Sequence, residues 1–138
     1  MKNSLSKLRL NQNNSVVIGS GILQALSIRK SHDIDVVVNQ ETFDSLKATG
    51  NFKVTENHGR EILADDIFEI GTSWNVLDKM YQLKDLLSES TMIDSVNYVN
   101  LEFLYKVKKS WASQENPRQK DVDDVLLIES YLKSGEKD

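Results

Sequence analysis

Apolar residues in this chain fall into short runs separated by polar turns, and two periods alternate. Val16-Val17-Ile18 is a brief continuous run of buried-strand character, and residues 34–38 form a second one interrupted by Asp35. Between them Ile22, Leu23, Ala25 and Leu26 recur at helical spacing after the turn Gly19-Ser20-Gly21. That order predicts strand, helix, strand. Ahead of it, Leu5 and Leu8 predict a helix over residues 2–14 that ends in an Asn/Gln cluster.

Downstream, residues 41–48 predict a helix stopped by Gly50. Residues 52–55 and 61–64 bracket the turn Glu56-Asn57-His58-Gly59 and read as a hairpin, followed after Asp65-Asp66 by a strand over residues 67–70. The pattern then changes. Val76, Met80, Leu83 and Leu87 predict an amphipathic helix, and residues 92–99 a short extended piece. Asn100 is a good N-cap for a helix through Leu101, Leu104, Tyr105 and Val107. Pro117 breaks the chain before a last helix marked by Val122, Val125, Leu126 and Tyr131. The expectation is an α+β fold in one domain, residues 1–138. Its core, about residues 1–74, is a small mixed β-sheet packed with helices, and about residues 75–134 form a C-terminal helical segment.

Composition narrows the class. The 138 residues are 39% apolar and 28% charged, enough for one hydrophobic core. There is no cysteine, hence no disulfide, thiolate metal site or cysteine nucleophile. No apolar run reaches membrane-spanning length, and the N-terminal residues lack the apolar stretch of a signal peptide. A cytoplasmic protein without a membrane partner is expected. The net charge of −4 argues against tight, sequence-independent binding of extended nucleic acid, which needs many phosphate contacts. A mononucleotide asks for far less.

The chemistry concentrates between Gly19 and Asp35. A glycine turn presents backbone N–H groups to a phosphate. Asp33 and Asp35, spaced i, i+2, point to one face of a strand, where carboxylate oxygens suit hard divalent cations such as Mg²⁺ or Mn²⁺. Two such ions serve nucleotidyl transfer by neutralising phosphates and acidifying the attacking hydroxyl. A third carboxylate is expected from a neighbouring strand. Glu69, set between Phe68 and Ile70 as Asp35 is set between Ile34 and Val36, is the candidate. Asp65 and Asp66 are alternatives that read more simply as a solvated turn, and Glu69 itself also reads as a solvent-facing strand residue.

The segment from Gly19 to Val38 resembles the signature of the polymerase-beta-type nucleotidyltransferase superfamily: strand, G-[GS] turn, helix, then D-h-[DE]-h. It is also similar to the head domain of CCA-adding enzymes, with Arg29 where those enzymes carry an arginine. Leu23 and Gln24 stand where they carry an Arg-Asp pair, which counts against a tRNA-directed role. Residues 101–132 resemble the helical segment of small bacterial nucleotidyltransferases, a lysine-bearing helix followed by R-x-K-D-x-x-D. The matches are Lys109 (or Lys106), Arg118, Lys120, Asp121 and Asp124. The resemblance implies an NTP substrate, Mg²⁺ or Mn²⁺, and an acceptor of unspecified kind. It implies Asp33, Asp35 and Glu69 as metal-holding catalytic residues, and Gly19, Ser20, Gly21, Lys109, Arg118 and Lys120 as nucleotide contacts. Asp121 and Asp124 are expected to cap the last helix and orient Arg118 or Lys120.

Other functions compete with this one. The same fold serves as a nucleotide-binding module without turnover, or as a toxin–antitoxin or resistance enzyme that modifies a protein, a tRNA or a drug. Lys106 and Lys108 enlarge the cationic cluster of the C-terminal segment, which otherwise reads as a solvated face. His32 beside the carboxylates and His58 in the hairpin turn read as exposed loop residues and form no zinc signature. Trp74 and Trp111 read as packing residues rather than base-stacking ones.

Overall fold

The apolar run at Val16 becomes the centre of a sheet. The computed structural model describes residues 2–57 and 59–136. In it β1 (Ser15–Ile18) is buried along its whole length, as a strand covered on both faces must be. It pairs antiparallel with β2 (Ile34–Val38) on one side and parallel with β9 (Val96–Val99) on the other, Val17 opposite Tyr98. β5 (Phe68–Gly71) continues the sheet parallel to β2. The hairpin of β3 (Lys53–Asn57) and β4 (Arg60–Ala64) closes one edge, and β8 (Ser90–Ile93) the other, in the order β3-β4-β5-β2-β1-β9-β8.

Period two divides the core. Val17, Val36, Val38 and Ile70 pack with Ile22 and Leu23 of α2 (Gly21–Ala25) and with Phe43 and Leu46 of α3 (Gln40–Ala48). Val16, Ile18, Val37 and Val99 face the other way, against Leu83 and Leu86 of α4 (Leu83–Leu87) and Phe103 and Val107 of α5 (Leu101–Ala112). Asp35 shares parity with Val37, so it belongs to this second face. The last helix, α6 (Gln119–Glu136), adds Ile128 to the first layer. As expected, Asn100 caps α5, its side chain accepting a hydrogen bond from the Phe103 N–H at 2.7 Å. Gly50 follows α3 with φ +73. Among the described residues no helix is long and apolar enough to cross a membrane.

Three expectations are corrected. The N-terminal helix is α1 (Lys2–Lys7) alone. Arg9 turns left-handed (φ 61), and Asn11 and Asn14 use their side chains on nearby backbone, in competition with helix. The helix expected from Val76 to Leu87 is a hairpin, β6 (Ser73–Val76) and β7 (Lys79–Gln82), ahead of the short α4. Leu77 and Asp78 both take positive φ, 54 and 59, the requirement of a tight two-residue hairpin turn. Trp74 stands opposite Tyr81, and both rings pack on Phe103, so tertiary contact overrides the helical spacing. The extended piece over residues 92–99 is likewise a hairpin, turning at Asp94-Ser95, and it puts β9 inside the sheet. Residues 73–99 thus supply four strands, and the helical part starts at Leu101 rather than near residue 75.

Candidate active site

β1 delivers the glycine turn to the start of β2. Gly19 has φ +65, and a Cβ there would lie 3.0 Å from Asp35 Oδ2. Only glycine therefore lets the turn pass so close to the carboxyl. The Ser20 and Ser31 hydroxyls are 3.0 Å apart, and the Ser31 N–H donates to Gln24 Oε1 at 2.9 Å. Leu23 is wholly buried. The two positions that depart from the CCA-adding pattern are thus occupied by core packing and loop bracing.

Asp35 and Glu69 are partners in register across the parallel pair β2–β5. Asp35 is half-buried, and its Oδ1 is buried without a hydrogen-bond partner. Burial first, then a shared hydrogen bond with the Glu69 carboxyl and the charges of Glu69 and Asp33, push the Asp35 carboxyl up to about 7; the nearby Lys120 charge opposes them. Asp33 is exposed just ahead of β2 and reaches Asp35 through its charge alone. Among the described residues no three His, Asp or Glu side chains are arranged to hold a metal ion. Asp65 is engaged elsewhere, its Oδ1 accepting the N–H groups of Ile67 and Phe68 at 2.8 and 2.7 Å, and Asp66 is exposed beside it. The pair the fold brings together is Asp35 with Glu69.

The C-terminal helices treat their cations unequally. Lys109 is exposed, 3.3 Å from the Tyr105 hydroxyl and above that ring, while Lys108 is buried 2.9 Å from Asp121 and 3.1 Å from Asp124. One residue along a helix turns the side chain by about 100°, so Lys108 faces the core while Lys109, the lysine matched to the motif, faces solvent. Arg118 bends back to Asp121 at 3.0 and 3.2 Å. Arg29, from the loop after α2, grips both Asp124 oxygens at 2.7 and 2.8 Å. Burial raises the two carboxyls, but these cationic hydrogen bonds outweigh it and hold both below the usual range. Of Lys109, Arg118 and Lys120, it is Lys120 whose charge is felt at Asp35. Of the two carboxylates expected to orient Arg118, Asp121 alone binds it; Asp124 is taken by Arg29 and Lys108, and together the pair buries Lys108 and ties α6 to the Arg29 loop.

A cavity of about 240 Å³ opens beside the carboxyl pair. Asp35, Glu69, Gly71, Ser73, Trp74 and Arg60 line it. No motif surrounds Arg60; its place directly after the Gly59 turn, on a strand bound to the Glu69 strand, is the available signal. Trp74 packs on Phe103 and Trp111 as expected of a core ring, yet also forms part of this wall. His32 is exposed, and His58 lies outside the described residues.

No protein-family model matches the chain, and no curated protein matches its sequence. Among solved structures, it resembles the crystal structure of ANT(2")-Ia in complex with adenylyl-2"-tobramycin. The TM-score is 0.61 at 14% identity, over 98% of this chain and 87% of that one. It also resembles the solution structure of the antibiotic-resistance factor ANT(2'')-Ia, with TM-score 0.58 and 16% identity over 96% and 86% of the two chains. The chain shares the fold of these two structures, a mixed sheet packed with helices.

Proposed function

We propose that this protein is a nucleotidyltransferase that moves a nucleoside monophosphate from an NTP to a hydroxyl acceptor, with residues 1–138 acting as one catalytic domain in the cytoplasm. The observation that carries the reading is Asp35 paired in register with Glu69 directly beneath the Gly19 turn. Backbone N–H groups of Gly19, Ser20 and Gly21, with the Ser20 hydroxyl, receive the triphosphate. Lys120, close enough to act on Asp35, adds a positive charge there.

The orphaned Asp35 Oδ1 and an all-oxygen donor set suit a hard divalent ion, so Asp35 and Glu69 would hold Mg²⁺ or Mn²⁺, and exposed Asp33, which is not arranged with them, would have to turn in to complete the set. When bound, such an ion neutralises phosphate charge. The acceptor oxygen attacks the α-phosphorus, the bond to the β-phosphate oxygen breaks, and pyrophosphate leaves. Glu69, the exposed member of the pair, takes the hydroxyl proton.

A small-molecule acceptor is favoured over a tRNA end. Leu23 and Gln24 are committed to structure, the net charge is −4, and the antibiotic-resistance factor ANT(2'')-Ia shares the fold. Turnover of α-labelled NTP with Mg²⁺, set against Asp35→Ala, tests the reading. Release of pyrophosphate by the wild type and its loss in the variant are expected. Calorimetry showing no NTP binding with Mg²⁺ would refute it.

A further inference from the structure

Two buried side-chain atoms among the described residues lack a hydrogen-bond partner, Asp35 Oδ1 and Arg60 Nε, and both residues line the same cavity. One is an acceptor and the other a donor. Arg60 Nη1 donates to the Ser73 carbonyl and, at 2.8 Å, to the Ser73 hydroxyl. Both partners are neutral. Among the described residues no carboxylate forms an ion pair with Arg60. A half-buried guanidinium bound directly by neutral oxygens, with its Nε unpaired, is one that an arriving anion would stabilise.

The cavity has a direction. Glu69, Gly71 and Ser73 succeed one another along the chain, with the Asp35 carboxyl beside the first and Arg60 bound to the last. At about 3.3 Å per extended residue, the two ends are at most about 13 Å apart. Gly71 keeps the floor open, since a Cβ there would lie 3.0 Å from Ile62 Cδ1. The volume, about 240 Å³, falls below that of pockets for drug-sized ligands, roughly 300–1,000 Å³.

We infer that this cavity is the acceptor subsite, and that the acceptor is a small hydroxyl compound carrying an anionic oxygen group, a phosphate or a carboxylate, which Arg60 binds. The inference rests on the nucleotidyl-transfer reading for the end of the cavity at which chemistry occurs. The acceptor's hydroxyl lies at the Asp35–Glu69 end, gives its proton to Glu69 and forms the new bond to the α-phosphorus as pyrophosphate departs. Its anionic group lies at Arg60, where a guanidinium makes paired charge-assisted hydrogen bonds. A polyamine acceptor would have to set an ammonium beside Arg60, and like charges at close range select against it.

Ligand-observed NMR titrations of ribose 5-phosphate, ribose and tobramycin test this, run with and without Mg²⁺ and a non-hydrolysable ATP analogue. Wild type is expected to bind ribose 5-phosphate at least tenfold more tightly than ribose. Arg60→Gln brings the two within about twofold, and Arg60→Lys keeps most of the preference. Gly71→Val, which narrows the cavity at its Ile62 side, is expected to weaken both sugars and serves as the second variant should loss of Ser73 bracing unfold Arg60→Gln. Equal binding of the two sugars by wild type, or tighter binding of tobramycin, overturns the inference while leaving nucleotidyl transfer in place. An Arg60-dependent preference with no binding of the ATP analogue upholds the anion subsite and sinks nucleotidyl transfer instead.

Discussion

Asp35 and Glu69 stand opposite each other across two parallel strands, with one of Asp35's oxygens buried and unpaired. Strand pairing, rather than a flexible loop, fixes their separation. A carboxyl oxygen left in that position without a partner serves stability poorly and a cation well. Replacing it by an amide of equal size should therefore separate the two properties. Asp35→Asn is expected to lower nucleotidyl transfer by about 10²–10³-fold or more while raising the thermal midpoint of the metal-free protein. Initial rates with α-labelled NTP and a thermal melt check the two halves.

Protonation pulls this protein in two directions. Asp35 is held at about 7 against an ordinary 3.8, so the folded state keeps a proton that the unfolded chain has lost. Its contribution is full below 3.8 and disappears as pH rises through about 7. Asp121 and Asp124 sit below 3.8, so theirs is full above 3.8 and disappears as pH falls through their depressed values. Urea midpoints of the metal-free protein should peak at roughly pH 4–6. Asp35→Asn should flatten the alkaline side and leave the acid side alone, and added Mg²⁺ should stabilise wild type above pH 7.

Lys108 is buried between Asp121 and Asp124, and Arg29 closes the far side of Asp124. Removing one member strands buried charge. Asp124→Ala is expected to cost about 3–5 kcal/mol, and Lys108→Met with Asp124→Leu less than the sum of the two single changes. Chemical denaturation of the four proteins closes the cycle.

Gly19→Ala puts a methyl group 3.0 Å from Asp35 Oδ2 at a backbone with φ +65. The conformational penalty alone is roughly 1–2 kcal/mol. Transfer activity should fall further than stability, because the displaced carboxyl is the one paired with Glu69; kcat measured below the melting transition separates the two.

Leu77 and Asp78 hold the β6–β7 turn at φ 54 and 59. Asn-Gly suits that geometry, so the double substitution is expected to stabilise the protein by about 1 kcal/mol, read as a shift in denaturation midpoint.

The same turn explains where the sequence was silent. β1, β2 and β5 were legible because β-branched residues repeat and turns bracket them, and Asn100 announced its helix. Leu77-Asp78 and Asp94-Ser95 carry no glycine to mark a hairpin, and Val76, Met80, Leu83 and Leu87 imitate a helical face. Their real positions are decided by Trp74 and Tyr81 packing on Phe103, which no local pattern records. At the site, the motif around Gly19 and Asp35 was readable and its pairing with Glu69 was inferred from matched apolar flanks. Lys108 shares the face of Leu104 one turn earlier, but a lysine on a buried face is legible only with its partners Asp121 and Asp124 in place, and Arg60 matters for what it fails to pair with.

The parallel pairing of Val17 with Tyr98 has a consequence for how the molecule comes into being. The strand that leads into the glycine turn is synthesised well before one of its two neighbours, which arrives only with residues 96–99, and Lys120 and Asp124 come later still. Contacts so distant in sequence close slowly. A nascent chain that has emerged only as far as residue 90 would hold both Asp35 and Glu69 and still expose one edge of its central strand, open to pairing with another nascent chain.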